Sequence, residues 1–186
     1  MRQKIIALDI DGVVANLLPV WVYQYNLEYY DKLDYREINK WDLVHFVKES
    51  CGKNIYKYIA DPTIYNYVLP VSGAEHGVER LRDMNFRIVF VTSSPNGCSG
   101  RKYRWLNEKG FNVKATDYFE AEDKSLIASD FLVDDRDLNV EEAWGQGIIF
   151  SAPYNRTLTG YPRVDSWKDI VQYFVHITNQ REITGL

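Results

Sequence analysis

Apolar and polar positions along the chain fall into two rhythms. Lys4-Ile5-Ile6-Ala7-Leu8 is a short apolar run that stops at Asp9, and Phe86-Arg87-Ile88-Val89-Phe90-Val91 is another that stops at Thr92-Ser93-Ser94-Pro95. Phe131-Leu132-Val133 stops at Asp134-Asp135, and Gly147-Ile148-Ile149-Phe150 stops at Ser151-Ala152-Pro153. Runs of this length, bounded by polar turn residues, predict buried strands. Between them the spacing turns helical, with Ala74, Val78 and Leu81 on one face, Arg101 to Lys109 closed by Gly110, and Asn139 to Trp144 after the third strand. Ser166 and Asp169 stand at capping-box spacing before Trp167, Ile170, Val171 and Phe174. Strands alternating with helices predict an α/β fold, a doubly wound, Rossmann-like parallel sheet.

Residues 16–70 interrupt this rhythm, because they separate the first strand from the next helix by far more chain than an ordinary connection uses. The segment holds nine of the 14 tyrosines together with Trp21, Trp41 and Phe46. Its pattern is helical around Leu17 to Tyr30 and Asn54 to Ala60. Aromatic residues at that density pack a small core of their own or line a wall facing a ligand. The expected organisation is a core of residues 1–15 and 71–186 with a small helical cap, 16–70, inserted after the first strand.

The bulk composition narrows the partners. A hydrophobic fraction of 46% with 26% charged residues is ordinary for a globular domain, and no apolar run approaches the ~20 residues that cross a bilayer. The opening residues lead directly into a strand pattern, so a cytoplasmic protein without membrane attachment is expected. Cys51 and Cys98 are expected as two unpaired thiols. A net charge of -4 disfavours nucleic acid as a partner and favours small substrates, leaving monomer and homo-oligomer open.

In an open parallel sheet, ligands bind beyond the carboxyl ends of the strands. Those ends here deliver Asp9 and Asp11, then Thr92 and Ser93, then Asp134 and Asp135, with Lys124 just upstream of the last pair. One acidic pair at a strand end reads as a solvated turn, but the set together reads as a phosphate site. The carboxylate of Asp9 can attack phosphorus, and Asp11, two residues on across the turn at Gly12, can protonate the leaving oxygen and later take a proton from water. Thr92, Ser93 and Lys124 can bind phosphate oxygens and balance charge. An all-oxygen donor set suits Mg²⁺, whereas His45, His76 and His176 show no zinc-ligand spacing.

These four elements, in this order, resemble the haloacid dehalogenase-like superfamily of phosphohydrolases. Thr92-Ser93-Ser94-Pro95, Lys102-Tyr103-Arg104-Trp105, Asp123-Lys124 and Val133-Asp134-Asp135-Arg136 resemble, over nearly the full length, the 5'(3')-deoxyribonucleotidase family. That resemblance implies Asp9 as nucleophile and Asp11 as acid/base whose backbone carbonyl also binds metal. It implies Lys124 as the conserved-motif lysine, Asp135 as a direct Mg²⁺ ligand and Asp134 as its support. Lys102 would reach the substrate or its phosphate, the alternative being a surface role. Leu17 and Glu122 depart from the family pattern, which has an aromatic and a basic residue there, and both departures bear on the substrate. Trp41 is the cap residue best suited to stack on a base, with a core role as the alternative.

The expected function is therefore Mg²⁺-dependent hydrolysis of nucleoside monophosphates, deoxyribonucleotides first, through an aspartyl-phosphate. Alternatives within the same chemistry are another small phosphate monoester or a 3'-phosphate on a nucleic-acid end. Outside it stand a receiver-like signalling domain, which would carry its phosphoacceptor after a middle strand, and a silent binding domain.

Overall fold

The computed structural model describes residues 2–95, 98 and 100–184, with side chains in the last helix described through residue 179. Six strands form one sheet: β1 (Ile5–Asp9), β2 (Arg87–Thr92), β3 (Tyr118–Glu120), β4 (Phe131–Asp134), β5 (Gln146–Phe150) and β6 (Arg163–Val164). Their order is β3-β2-β1-β4-β5-β6 and every pairing is parallel. β3 and β6 were not legible in the sequence, because edge strands of three and two residues are too short to show a period. The order reverses at β1, whereas a receiver-like sheet runs 2-1-3-4-5, so the topology excludes that alternative.

The central strands are buried on both faces, which is why they read as unbroken apolar runs. On one face Ile6, Leu8, Ile88, Phe90, Phe131, Val133, Ile148 and Phe150 join the main core; on the other Ala7, Val89, Val91 and Leu132 form a smaller one. The odd-even split follows from the two-residue period of a strand.

Helix α1 (Leu17–Tyr29) and the single-turn α2 (Lys57–Ala60) lie in the excursion between β1 and α3 (Ala74–Asp83). α4 (Arg101–Glu108) follows β2, α5 (Asp137–Glu141) follows β4, and α6 (Trp167–Thr184) closes the chain. α5 starts two residues before the Asn139 start read from the pattern and ends before Trp144. α6 opens at the expected box, where Ser166 Oγ donates to Asp169 Oδ2 at 2.7 Å. Trp167 then reaches under the sheet's first loop, its Nε1 donating to the Val13 carbonyl at 2.9 Å. Gly77 of α3 makes room for that ring: a Cβ there would stand 2.3 Å from Trp167 Cε3.

The excursion leaves and returns side by side. Asn16 N donates to Leu69 O at 2.9 Å and Val71 N to Val14 O at 2.8 Å, with a bridge between Ala15 and Pro70. Between those points Val22, Tyr25, Ile38, Leu43, Cys51 and Ile55 form an apolar cluster separate from the sheet cores. The Asn54–Ala60 stretch is a 3₁₀ turn, Gly52–Tyr56, that runs into α2. Cys51 and Cys98 are both free. Among the described residues no helix is long and apolar enough to cross a membrane.

Candidate active site

Strand register brings the polar residues to one level. Asp9 pairs with Val91, the residue before Thr92, while Leu8 pairs with Val133, the residue before Asp134. β1 and β4 are neighbours, so Asp9 and Asp134 emerge beside one another. Lys124 reaches between them from a one-turn 3₁₀ segment that the Asp123 side chain caps. Its Nζ stands 2.7 Å from Asp9 Oδ1 and 2.6 Å from Asp134 Oδ2. Asp9 Oδ1 also accepts from Ile10 N at 2.7 Å, while its Oδ2 has no hydrogen-bond partner among the described residues.

The two members of the acidic pair have different surroundings. Asp134 is saturated: besides Lys124 it accepts from Asn139 Nδ2 at 3.1 Å on each oxygen and from Arg136 N at 2.9 Å. Asp135 accepts from the Tyr154 hydroxyl on Oδ2, but its Oδ1 is buried without a partner. One oxygen from each of Asp9, Asp134 and Asp135 lies within 4.8 Å of the others. An orphaned carboxylate oxygen in an all-oxygen cluster is a fit for a hard cation such as Mg²⁺. The turn that opens this space depends on Gly12, at φ +86°, where a Cβ would fall 1.7 Å from Asp135 Oδ2.

Asp11 takes its partners from outside that cluster. Its Oδ2 pairs with Lys102 Nζ at 2.7 Å, and its Oδ1 accepts from the Tyr65 hydroxyl. Lys102 is no surface residue: it is buried on α4, and its Nζ also donates to Thr92 Oγ1 at 2.8 Å and Ser93 O at 2.6 Å. An ammonium has three donors, so Lys102 is fully committed. Thr92 is buried by this contact, while Ser93 is exposed beyond it.

Leu17 and Trp41 both line a cavity of about 160 Å³, together with Asp11, Gly12, Asp135 and Tyr56. Trp41 is 49% exposed, which excludes a core role. It stands edge-on to Tyr154 at 5.0 Å, with the Arg136 guanidinium 5.2 Å from its ring centre. Sequence reasoning missed Tyr65, Tyr154, Asn139 and Asn155. Asn155 donates to the carbonyls of Asp135 and Phe150, both at 2.8 Å, and so ties the loop after β5 to the acidic pair. The one available signal was that Tyr154 and Asn155 follow a strand end already marked by Ser151-Ala152-Pro153.

Crowding the carboxylates moves their titration. Burial pushes the Asp9 carboxyl up to about 7, Lys124 opposes the rise, and Asp134 and Asp11 add to it. Burial, then the charges of Asp9 and Asp134, hold Asp135 well above the usual carboxylate range. Burial pulls Lys124 down but is outweighed by Asp9 and Asp134, so it stays charged. Because the folded state of Asp9 prefers its proton, this group destabilises the metal-free protein increasingly as pH rises from about 4 to about 7. In chelator, wild-type protein should lose more thermal stability than Asp9→Asn between pH 4.5 and 7.5. Parallel melting curves for the two proteins across that window would contradict the assignment.

A sequence model of the family described as "5' nucleotidase, deoxy (Pyrimidine), cytosolic type C protein" matches residues 3–180. The 5'(3')-deoxyribonucleotidase of Clostridium acetobutylicum is 30% identical over 167 residues, covering 90% of this chain and 92% of the relative. The 5'(3')-deoxyribonucleotidase of Bacillus subtilis is 27% identical over 170 residues, covering 90% and 96%. Among solved structures, a haloacid dehalogenase-like hydrolase from Streptococcus pneumoniae superposes with a TM-score of 0.61 at 11% identity, covering 92% of this chain and 98% of its own. A hydrolase of the same superfamily from Deinococcus radiodurans, with bound phosphate and sodium, gives 0.59 at 14% identity, covering 93% and 95%. At such identities the structural likeness establishes the shared fold, and the full-length family match establishes the rest: this chain belongs to the 5' nucleotidase, deoxy (pyrimidine), cytosolic type C family of phosphoric monoester hydrolases.

Proposed function

We propose that this protein hydrolyses nucleoside monophosphates, deoxyribonucleotides in preference, through a phosphoaspartate on Asp9 with Mg²⁺ as cofactor. The observation that carries the reading is Asp9 itself: one oxygen is held by Lys124 and Ile10 N while Oδ2 accepts no hydrogen bond among the described residues, in a cluster with Asp134 and Asp135. The names of the relatives supply the substrate class, since both are 5'(3')-deoxyribonucleotidases.

In the proposed reaction Asp9 Oδ2 attacks phosphorus and the bond to the leaving oxygen breaks, while Asp11 gives that oxygen a proton. Water then attacks the phosphoaspartate as Asp11 takes back a proton, which releases phosphate and frees Asp9. Lys124 remains charged against Asp9 and balances the phosphate oxygens, and Thr92 and Ser93 line the same end of β2. Asp9, the Asp11 carbonyl and Asp135 would hold the metal, and Asp134, already saturated by Lys124, Asn139 and Arg136 N, would support them. Bound there, Mg²⁺ would neutralise charge on the transferring phosphoryl group. Residues 16–70 would serve as a cap on the core of 1–15 and 71–186, with Leu17 and Trp41 against the nucleoside.

Phosphate release from a panel of nucleoside 5'- and 3'-monophosphates, sugar phosphates and a 3'-phosphorylated oligonucleotide tests this reading. Deoxynucleotides should be turned over fastest, and only with Mg²⁺. A preference for sugar phosphates would overturn the substrate class and leave the chemistry standing. Asp134→Ala should lower activity at limiting Mg²⁺ by about 10- to 100-fold, the usual loss for a residue that supports a ligand, and Asp135→Ala by more. If Mg²⁺ titration ranks the two the other way, their roles are reversed.

A further inference from the structure

Asp11 is gripped from two sides, and only one grip comes from the core. Lys102 holds Oδ2 from α4 and is itself fixed by Thr92 Oγ1 and Ser93 O. The donor to Oδ1 is the hydroxyl of Tyr65, which belongs to the returning arm of the excursion. Tyr65 is 4% exposed and sits in the 3₁₀ turn Pro62–Asn66, whose entry is fixed by Pro62 and by Asp61 accepting from Thr63 N at 2.8 Å. Its ring packs edge-on against Trp105 at 5.7 Å, and Trp105 Nε1 is tied to Val68 O at 3.0 Å. The ring is therefore rigidly seated, and a phenylalanine would pack equally well there. Burying the extra hydroxyl costs free energy unless it is hydrogen-bonded, and Asp11 is its partner among the described residues.

We infer that Tyr65 is a positioning residue for the acid/base: it fixes the Asp11 carboxylate from the excursion side so that the proton is delivered to the leaving oxygen. This rests on the phosphatase reading above. A donor on each oxygen fixes both rotation and tilt of a carboxylate that is otherwise free to turn about two bonds. The two donors are not equivalent. The ammonium holds negative charge on Oδ2, so the transferable proton belongs on Oδ1, which keeps a lone pair to accept from Tyr65 while its own proton points to the leaving oxygen. The excursion thus contributes to the chemistry as well as to the cavity wall, and a displaced excursion would leave Asp11 tethered by Lys102 alone.

The test compares Tyr65→Phe with wild type on a deoxynucleoside monophosphate, whose alkoxide leaving group needs a proton, and on p-nitrophenyl phosphate, whose phenolate does not. kcat/KM is the proper readout because it ends at phosphoaspartate formation and excludes the later hydrolytic step. For the nucleotide it should fall about 10- to 100-fold, the scale of one hydrogen bond to a charged group, with the loss in kcat rather than KM. For p-nitrophenyl phosphate it should change less than about 3-fold, which also shows that the variant is folded. In an Asp11→Asn background, Tyr65→Phe should add almost nothing, since the two act as one unit. Equal losses on both substrates, no loss on either, or full additivity with Asp11→Asn would each overturn the inference. A wild-type enzyme inactive on both esters would instead sink the phosphatase reading on which it depends.

Discussion

A single buried ammonium stands between two buried carboxylates at the carboxyl ends of β1 and β4, and a third carboxylate lies within reach. Lys124 satisfies Asp9 and Asp134, while Asp135 keeps an oxygen with no partner. Taking such groups out of water is costly, and removing one partner of a buried pair typically costs about 3–5 kcal/mol because its mate is left uncompensated. The arrangement therefore needs a scaffold that forces it. Adjacent parallel strands supply one, since the backbone register leaves Asp9 and Asp134 no alternative to emerging side by side. In the proposed reaction this carboxylate excess would receive a cation and the phosphoryl group that approaches with it.

Several contacts outward of this cluster return to it or to the turn beside it. Gly12 turns the chain where a side chain would strike Asp135, Trp167 holds the Val13 carbonyl from beneath, and Asn155 ties the loop after β5 to the Asp135 carbonyl. The excursion leaves and re-enters beside the same turn, through the hydrogen bonds of Asn16 and Val71. It has an apolar cluster of its own, while Leu17, Ile64, Tyr65 and Val68 join the main core of the sheet, and it carries both cavity-lining residues and the Tyr65 hydroxyl. In the proposed reaction, substrate selection and proton delivery thus depend on one inserted segment, while the nucleophile depends on the sheet.

The sheet and its acidic ends were legible in the sequence because a strand buried on both faces must be apolar without interruption, so the first polar residue marks where it leaves the core. Asp9, Thr92 and Asp134 each stand at such a break. The family resemblance added Lys102, whose burial a helical pattern alone does not announce. The edge strands were hidden by their length, and Asp137 rather than Asn139 opens α5. Tyr65 was hidden by company, since one of nine tyrosines in an aromatic-rich segment differs from the rest only in what its hydroxyl touches. Tyr154 and Asn155 act across 19 and 20 positions on Asp135, a distance at which no local pattern operates. Residues defined by partners remote in sequence are visible only once the fold brings the partners together.

The central claim is that Asp9 carries the phosphoryl group during turnover. Enzyme quenched in acid while turning over a phosphate-labelled deoxynucleoside monophosphate, then digested and mapped, reads this directly. The account predicts a base-labile phosphate on the peptide containing Asp9 and none in Asp9→Asn. Robust steady-state hydrolysis with no labelled Asp9 peptide, or undiminished turnover by a folded Asp9→Asn protein, would contradict it.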